Sequence, residues 1–378
     1  MPELVAIDLP GGAPFVAALR RAWDRGDAVL PLDQRLSAPA KEAVAAHLRP
    51  GLVADGDGEH RRRGGAPVED GDALVVATSG TTGEPKGVVL TYDAVVASAL
   101  ATSARLEVDP ARHRWLACLP LNHVGGLSVV TRSLLTGTAC AVLPGFDAEA
   151  VLAESGPDVL VSLVATALRR VPAAAFRTVV LGGSAPPVET PPNAVITYGL
   201  TETGSGVVYD GVPLDGVQVA VDPDTSEIRL RGPMLLRAYR DGTCPLDGEG
   251  WFRTGDAGDI DAAGRLRVRG RMGDMIVTGG ENVWPGPVEA ALRAHPAVAE
   301  AAVAGVPDPE WGQRVVAWVV PADPARPPTL ETLREVVAER VAPYAAPRRV
   351  VVVAALPRTA IGKVRRDLLA GSIPEGEG

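Results

Sequence analysis

The stretch Thr78-Ser79-Gly80-Thr81-Thr82-Gly83-Glu84-Pro85-Lys86-Gly87 decides how the rest of the sequence is interpreted. It follows the apolar residues 73–78, a predicted strand, and precedes residues 91–104, a predicted helix with Thr91 as N-cap. In that setting backbone N–H groups, hydroxyls and a lysine can surround a polyphosphate. A Walker A loop needs Gly before the Lys and Ser or Thr after it, which this stretch lacks. We therefore predict a phosphate loop of another class, with a plain surface turn as the alternative.

Outward from this loop, short apolar runs alternate with helix-like segments up to about residue 200, which is typical of βα units on parallel sheets. After Gly211 the pattern changes to strands separated by Asp-Gly and Ala-Gly turns, which indicates an antiparallel appendage. Near Asp274 it changes again, to a mixed α+β pattern. We predict an α/β fold with a large N-terminal domain (1–273) that carries parallel sheets and a β appendage, and a small C-terminal α+β domain (274–378). Residues 54–71 are predicted to be an exposed loop.

Composition limits the functions that the chain can have. Its 378 residues are 46% hydrophobic and 22% charged, which is normal for a globular protein. The net charge of -9 argues against nucleic-acid binding, which relies on clustered Lys and Arg. The three cysteines lack metal-ligand spacing, so we expect buried free thiols and no zinc. We find no leader peptide and no apolar run long enough for a bilayer, and we expect a cytoplasmic protein without membrane insertion.

Further motifs follow the loop in order along the chain. They are residues 119–128 (LPLNHVGGLS), 182–186 (GGSAP), 198–203 (YGLTET), 254–256 (TGD), 270–274 (GRMGD), 279–282 (GGEN) and 357–363 (PRTAIGK). Each one alone is weak evidence, because Gly-rich turns and Asp after Gly are common. Together with the phosphate loop, their order resembles that of the adenylate-forming (AMP-binding) superfamily, which includes acyl-CoA synthetases. The resemblance covers most of the chain from Leu74 to Asp367.

The resemblance implies a site for ATP and Mg²⁺. The residues that it assigns to the nucleotide are Thr78, Ser79, Gly80, Thr81, Thr82, Gly83, Lys86, Gly182, Gly183, Ser184, Tyr198, Gly199, Thr201, Asp256, Arg271 and Lys363. By this resemblance Tyr198 stacks on adenine and Thr201 bonds the α-phosphate. Asp256 and Arg271 face the ribose or phosphate. Glu202 holds Mg²⁺, which agrees with the preference of this cation for oxygen ligands.

The same resemblance implies a catalytic set of Lys363, His123, Thr201 and Glu202. The chain has only three lysines, and the third, Lys41, is predicted to face solvent from a helix. Asp274 is the implied hinge about which the small domain rotates between two half-reactions. Gly279 and Gly280 are assigned to a loop that lines the tunnel for coenzyme A, with a simple hairpin turn as the alternative.

The acid is indicated by residues 119–137, 159–171 and 209–217. They resemble those of family members that act on an aromatic acid with a second carboxylate. His123 and Ser128 are the implied acyl-side residues. Arg132, on the same predicted helix, is suited to pair with the spare carboxylate, although a surface arginine is an equally good interpretation. Asn122 departs from the aromatic residue that many relatives have there.

The expected activity is therefore formation of an acyl-adenylate from an acid and ATP, followed by transfer of the acyl group to coenzyme A. Alternatives are another acyl- or aryl-CoA synthetase, an adenylating enzyme that feeds a carrier protein, or an inactive nucleotide-binding regulator. The expected partners are small molecules alone, and we leave open whether the chain forms a homodimer.

Overall fold

The computed structural model describes residues 1–79, 85–183, 190–358 and 364–370, and in these residues the chain forms four β-sheets. Two seven-stranded sheets are followed by a four-stranded and a five-stranded sheet. Short 3-10 turns lie at Ala173–Ala175, Thr201–Thr203, Met272–Asp274 and Pro343–Ala345. This is the predicted α/β fold with a β appendage and a C-terminal α+β part.

The first sheet is built mainly from the N-terminal part of the chain. Its strands are β1 (Leu4–Ile7), β2 (Ala28–Pro31), β3 (Leu52–Asp55), β4 (Gly58–Arg61), β5 (Asp72–Ser79) and β6 (Pro85–Thr91), with helices α1 (Ala13–Asp24), α2 (Ala38–Leu48) and α3 (Tyr92–Arg105). Strands β5, β2, β1 and β3 are parallel, whereas β4 and β6 pair antiparallel with their neighbours. All four residues of β1 are buried, as expected of a central parallel strand.

The phosphate stretch connects two paired strands, which corrects one prediction. Thr78 pairs with Lys86 in the antiparallel β5–β6 ladder, and helix α3 begins only after β6. The expected order of strand, loop and helix is therefore wrong, and Lys86 lies on a strand. The N-cap prediction is confirmed, because the Thr91 hydroxyl accepts a 3.2 Å hydrogen bond from the Ala94 N–H.

Residues 54–71 are also more regular than predicted. Strands β3 and β4 form a hairpin at the edge of the first sheet. Residues 61–63 are three consecutive arginines. Arg61 forms an ion pair with Glu3, and Arg62 forms one with Glu42. These charged side chains are therefore engaged in local pairs at a sheet edge, a common way to protect an edge.

The second sheet carries most of the motif residues. Its strands are β7 (Arg114–Ala117), β8 (Ala139–Val142), β9 (Gly156–Leu163), β10 (Phe176–Leu181), β11 (Ala194–Tyr198), β12 (Val208–Tyr209) and β13 (Val212–Pro213), with helices α4 (Val124–Thr136), α5 (Ala148–Ala153) and α6 (Ala165–Leu168). Strands β8, β7, β9, β10 and β11 are parallel, and β12 and β13 extend the sheet antiparallel. Helices α3 and α4 pack together, and Val95 and Leu127 share one core with Leu74 and Trp115.

The remaining strands form the appendage and the C-terminal sheet. They are β14 (Gln218–Val221), β15 (Glu227–Arg231), β16 (Ala238–Tyr239), β17 (Phe252–Ile260), β18 (Leu266–Arg271), β19 (Ile276–Thr278), β20 (Glu281–Val283), β21 (Val298–Asp308), β22 (Gly312–Pro321) and β23 (Arg349–Val352), with helices α7 (Pro285–Arg293), α8 (Leu330–Arg340) and α9 (Arg366–Ala370). Strand β16 leaves the appendage and pairs with β6 at the edge of the first sheet.

Each described core cluster draws its residues from one side of Asp274. The clusters of the larger part end at Leu266, and those of the smaller part begin at Ile276. This separation supports the division into 1–273 and 274–378, which stays a prediction. Among the described residues, no helix has the length and apolar content needed to cross a bilayer.

The environments of the three cysteines differ more than predicted. All three thiols are free, but Cys118 is buried, Cys140 is half-buried and Cys244 is exposed, so the expectation of three buried thiols is wrong for Cys244. Burial raises the pKa of Cys118 to about 12 and that of Cys140 to about 11.

This difference predicts the alkylation pattern of the native protein with iodoacetamide at pH 8. The thiolate is the reactive form, so a pKa three units above the usual value leaves roughly 10³-fold less of it at Cys118. We expect rapid labelling of Cys244 alone, and labelling of all three cysteines only after unfolding. The extent of labelling at each cysteine would be measured over time by mass spectrometry. Cys244→Ser is the control and should abolish the rapid phase. Equal labelling rates at Cys118 and Cys244 would contradict the described burial.

Candidate active site

The predicted nucleotide motifs lie at the carboxyl ends of β10 and β11, where ligands of open α/β sheets usually bind. Gly182 and Gly183 follow β10, and Tyr198 ends β11. A Cβ at Gly182 would lie 2.6 Å from the Thr197 hydroxyl, and one at Gly199 would lie 2.2 Å from the Ser205 carbonyl oxygen. Side chains at these two positions would therefore displace the neighbouring strand or turn.

Three of the predicted nucleoside residues meet at one carboxylate. The Tyr198 hydroxyl donates to Asp256 Oδ2 at 2.8 Å, and Arg271 Nε lies 2.9 Å from Asp256 Oδ1. The side chain of Asp256 is nearly buried, whereas that of Arg271 is half exposed. Burial, and then the Asp256 carboxylate, raise the pKa of Tyr198, so the phenol stays protonated and keeps donating. A carboxylate has about four acceptor positions, so one such group can accept from several donors, as Asp256 does here.

The predicted metal ligand lies beside the predicted phosphate lysine. Glu202 is half-buried in the 3-10 turn that begins at Thr201, and its Oε1 accepts a 3.1 Å hydrogen bond from the Tyr239 hydroxyl. The ammonium of Lys86 lies 5.0 Å from the centre of the Tyr239 ring. Tyr239 was not among the predicted residues, because it lies in a strand of two residues far along the chain. It joins two motifs that are separated by more than a hundred residues of sequence.

A magnesium ion fits this arrangement. Mg²⁺ in nucleotide enzymes is usually held by one or two carboxylates, with phosphate oxygens and waters completing its shell. The described residues contain no group of three acidic, His or Cys side chains that could hold a metal without such help. Glu202, an accessible carboxylate next to a lysine-bearing strand, is the residue present that would serve.

His123 is the N-cap residue of α4, and it is contacted by Arg35, which lies in the turn between β2 and α2. Arg35 Nη2 lies 3.3 Å from His123 Nε2, and Asn122 Nδ2 lies 3.2 Å from the same nitrogen. A guanidinium can only donate, so a hydrogen bond from Arg35 requires Nε2 to be the acceptor. Asp33 in turn holds Arg35 through two side-chain bonds of 2.8 and 2.7 Å. Sequence reasoning missed Arg35, because no local motif connects it with His123.

Arg132 is buried, so its interpretation as a surface residue is wrong. It is only 2% exposed, and its Nη2 donates a 3.1 Å hydrogen bond to the Ser205 hydroxyl. Its guanidinium stacks 4.7 Å from the centre of the Trp115 ring. The Nε and Nη1 atoms are buried without a hydrogen-bond partner in the described chain.

The surroundings of Arg132 leave a buried positive charge without a counter-ion. Ser128 and Arg132 line the same cavity, whose other walls are mostly apolar, and no described acidic side chain pairs with Arg132. Burial lowers the pKa of Arg132 below its usual value. A buried charge without a partner is costly in free energy, and a carboxylate entering the cavity would offset that cost. The structure thus brings two of the predicted substrate residues together.

The predicted hinge and tunnel residues lie at the start of the C-terminal part. Asp274 Oδ2 accepts from Arg366 Nη1 at 2.9 Å, and Arg366 also donates to the buried carboxylate of Glu289 at 2.7 Å. Gly279 and Gly280, with φ of 59° and 85°, form a two-residue turn between β19 and β20. Their conformation is therefore that of a tight hairpin, which was the alternative interpretation, and their role toward coenzyme A stays a prediction.

Several predicted residues lie outside the described part of the chain. They are Gly80, Thr81, Thr82, Gly83, Ser184 and Lys363, and the side chain of Ser79 joins them. Thr78 is described, and its hydroxyl donates to the Lys86 carbonyl oxygen at 3.4 Å. Lys41 is described too, and it pairs with Asp8 instead of facing solvent alone.

Comparison with known proteins places the chain in a family. The AMP-binding enzyme model matches residues 32–239, and the AMP-binding enzyme C-terminal domain model matches residues 287–363. A protein of Mycobacterium tuberculosis (strain ATCC 25618 / H37Rv) named "Probable 2-succinylbenzoate--CoA ligase" is 40% identical over 361 residues, which are 88% of this chain and 93% of that protein.

Solved structures give the same result. The o-succinylbenzoate CoA synthetase of Bacillus subtilis in complex with the acyl-adenylate intermediate aligns with a TM-score of 0.84 and 28% identity, over 99% of this chain and 89% of that one. The same enzyme in complex with ATP and magnesium ion aligns with a TM-score of 0.82 and 27% identity, over 97% and 89% of the two chains. With its ordered motifs, its fold and these matches, the chain belongs to the AMP-binding enzyme family.

Proposed function

We propose that this protein is an AMP-forming acid–CoA ligase that converts o-succinylbenzoate, ATP and coenzyme A into o-succinylbenzoyl-CoA, AMP and pyrophosphate. The observation that carries the choice of acid is Arg132, a buried cation that has no counter-ion among the described residues and that lines a cavity with Ser128. The relatives named for this reaction support it. The activity places the protein in menaquinone biosynthesis and, because it uses ATP and coenzyme A, in the cytoplasm.

The proposed chemistry has two balanced steps. A carboxylate oxygen of the acid attacks the α-phosphorus of ATP, and the bond to pyrophosphate breaks. The thiol of coenzyme A then attacks the acyl carbon, loses its proton, and releases AMP. Magnesium held at Glu202 would offset the charge of the phosphate oxygens.

The chain's own residues would position the two substrates of the first step. Tyr198, Asp256 and Arg271 would hold the nucleoside, since they already form one bonded cluster. Lys86 and the hydroxyls of the phosphate stretch would bind the phosphates, and Thr201 the α-phosphate. Arg132 and Ser128 would fix the spare carboxylate, so that only the other one reaches ATP.

The remaining residues would act in adenylation and in the change to the second step. Lys363 would neutralise charge on the α-phosphate and the acyl oxygen during adenylation. The small domain (274–378) would then turn about Asp274, bring Gly279 and Gly280 to the tunnel, and remove Lys363. His123 would gate the path of the thiol.

The direct test is mass spectrometry of products after incubation with ATP, Mg²⁺, coenzyme A and o-succinylbenzoate. We expect o-succinylbenzoyl-CoA, with one AMP formed for each molecule of this thioester. Thioester from other acids alone would indicate a different acyl-CoA synthetase. Adenylate without thioester would indicate an enzyme that feeds a carrier protein, and bound nucleotide without AMP would indicate an inactive regulator.

Substitution of Arg132 tests the acid site. In Arg132→Met we expect the KM for o-succinylbenzoate to rise roughly 10- to 100-fold, as when a bond to a charged group is lost, with the KM for ATP unchanged. Because Met removes a buried unpaired charge, thermal stability should not fall. Arg132→Lys, which keeps the charge but not the fork, should retain part of the affinity. An unchanged KM for the acid in the folded Met variant would rule out this role of Arg132.

A second prediction separates the two half-reactions. Lys363→Ala should slow adenylation, followed by pyrophosphate release, by roughly 10²–10³-fold through loss of one preorganised cation. The same variant should still form thioester from added acyl-adenylate at a rate close to that of the unaltered protein. Lys41→Ala is the matched control, because Lys41 pairs with Asp8 and has no assigned role in either half-reaction, and it should leave both rates unchanged. Equal loss of both half-reactions in the Lys363 variant would contradict a role confined to adenylation.

A further inference from the structure

Tyr239 lies on the edge strand β16, which is paired with β6. Strand β16 pairs antiparallel with β6, with Tyr239 opposite Val88. The Tyr239 N–H donates to the Thr243 carbonyl at 2.8 Å, and the next residue, Arg240, donates its N–H to the Gly87 carbonyl at 2.7 Å. The backbone of Tyr239 is therefore held against the strand that carries Lys86.

The segment that carries Tyr239 also holds Glu202 from two directions. The Leu236 N–H donates to the Glu202 carbonyl oxygen at 2.7 Å, and the Tyr239 hydroxyl donates to its Oε1 at 3.1 Å. Both the backbone and the carboxylate of Glu202 are thus oriented by residues 236–239. Within the described part of the chain the second carboxylate oxygen has no hydrogen-bond partner, so it is available to another ligand.

The face of the Tyr239 ring meets a second functional group. The Lys86 ammonium lies 5.0 Å from the ring centre, within the range of a cation–π interaction. The hydroxyl of one residue thus contacts the predicted metal ligand, while its ring contacts the predicted phosphate cation. A side chain that only filled the core would need neither contact, and Tyr239 is only half-buried.

We propose that Tyr239 is a positioning residue that orders Glu202 for the divalent cation and Lys86 for the phosphates before the metal–nucleotide complex binds. This inference rests on the proposed function, because it takes Glu202 as the metal ligand. Groups that are ordered in advance lose less conformational freedom on binding, which raises affinity. Residues that orient a metal ligand typically change metal affinity 10- to 100-fold when they are replaced.

The two contacts can be separated by two variants of the full chain. Tyr239→Phe removes the hydroxyl and keeps the ring, whereas Tyr239→Leu removes both. Binding of Mn²⁺ would be measured by electron paramagnetic resonance in the presence of the α,β-methylene analogue of ATP, which cannot transfer its adenylyl group because the bond to the β-phosphorus is not cleaved. Binding of the analogue alone would be measured by calorimetry in EDTA.

In Tyr239→Phe we expect Mn²⁺ to bind roughly 10-fold more weakly, with metal-free binding of the analogue unchanged. In Tyr239→Leu the analogue alone should also bind more weakly, by about two- to fivefold, because Lys86 loses its aromatic partner. Tyr344→Phe, at an exposed tyrosine of the C-terminal part, is the matched control and should behave like the unaltered protein.

Glu202→Gln distinguishes failure of this inference from failure of the proposed function. If Glu202→Gln weakens Mn²⁺ binding and Tyr239→Phe does not, the positioning role is wrong and the metal assignment stands. If Glu202→Gln leaves Mn²⁺ binding unchanged, the metal assignment itself is wrong. In the double variant, Tyr239→Phe should add little to Glu202→Gln, because the hydroxyl acts through that carboxylate, and independent additive losses would overturn the inference.

Discussion

The carboxylate of Asp256 is the point on which the architecture of the site depends. It accepts from Tyr198 at the end of a parallel strand and pairs with Arg271 at the last residue of the antiparallel appendage. One nearly buried anion thus joins the second sheet to the appendage. Its partner Arg271 lies three residues before Asp274, where the C-terminal part begins. A nucleoside in this cluster would contact the junction through which the two parts of the chain are connected.

Sequence reasoning succeeded where motifs are local and failed where contacts are distant. The helix that starts after Thr91 and the alternation of strands and helices up to about residue 200 follow from periodicity and capping, which depend on neighbouring residues. The partners of the site do not. Tyr239 reaches Glu202 through a two-residue strand, and Arg35 reaches His123 across 88 residues, so neither leaves a signal in its own segment. The hairpin at residues 52–61 was missed because its composition is that of a loop.

The burial of Arg132 has a stability cost, which the proposed role in binding a carboxylate would explain. An arginine in an apolar cavity with an aromatic ring and one hydroxyl as partners is less favourable than a methionine of similar volume would be. Sites of this kind exchange folding free energy for affinity, since the charge is already stripped of water when the ligand arrives. The other walls of the cavity around Ser128 and Arg132 are mostly apolar, so water gives the charge little solvation there.

The contact of Arg366 with Asp274 bears on how a rotation of the C-terminal part would be transmitted. If that part rotates about Asp274, residues close to the rotation axis are displaced very little, whereas residues far from the axis are displaced a long way. Arg366 is bonded both to the pivot and to Glu289 of the same lobe, so this tether can persist through the whole turn. The junction between the two parts of the chain would therefore keep these ion pairs while the C-terminal part changes its orientation.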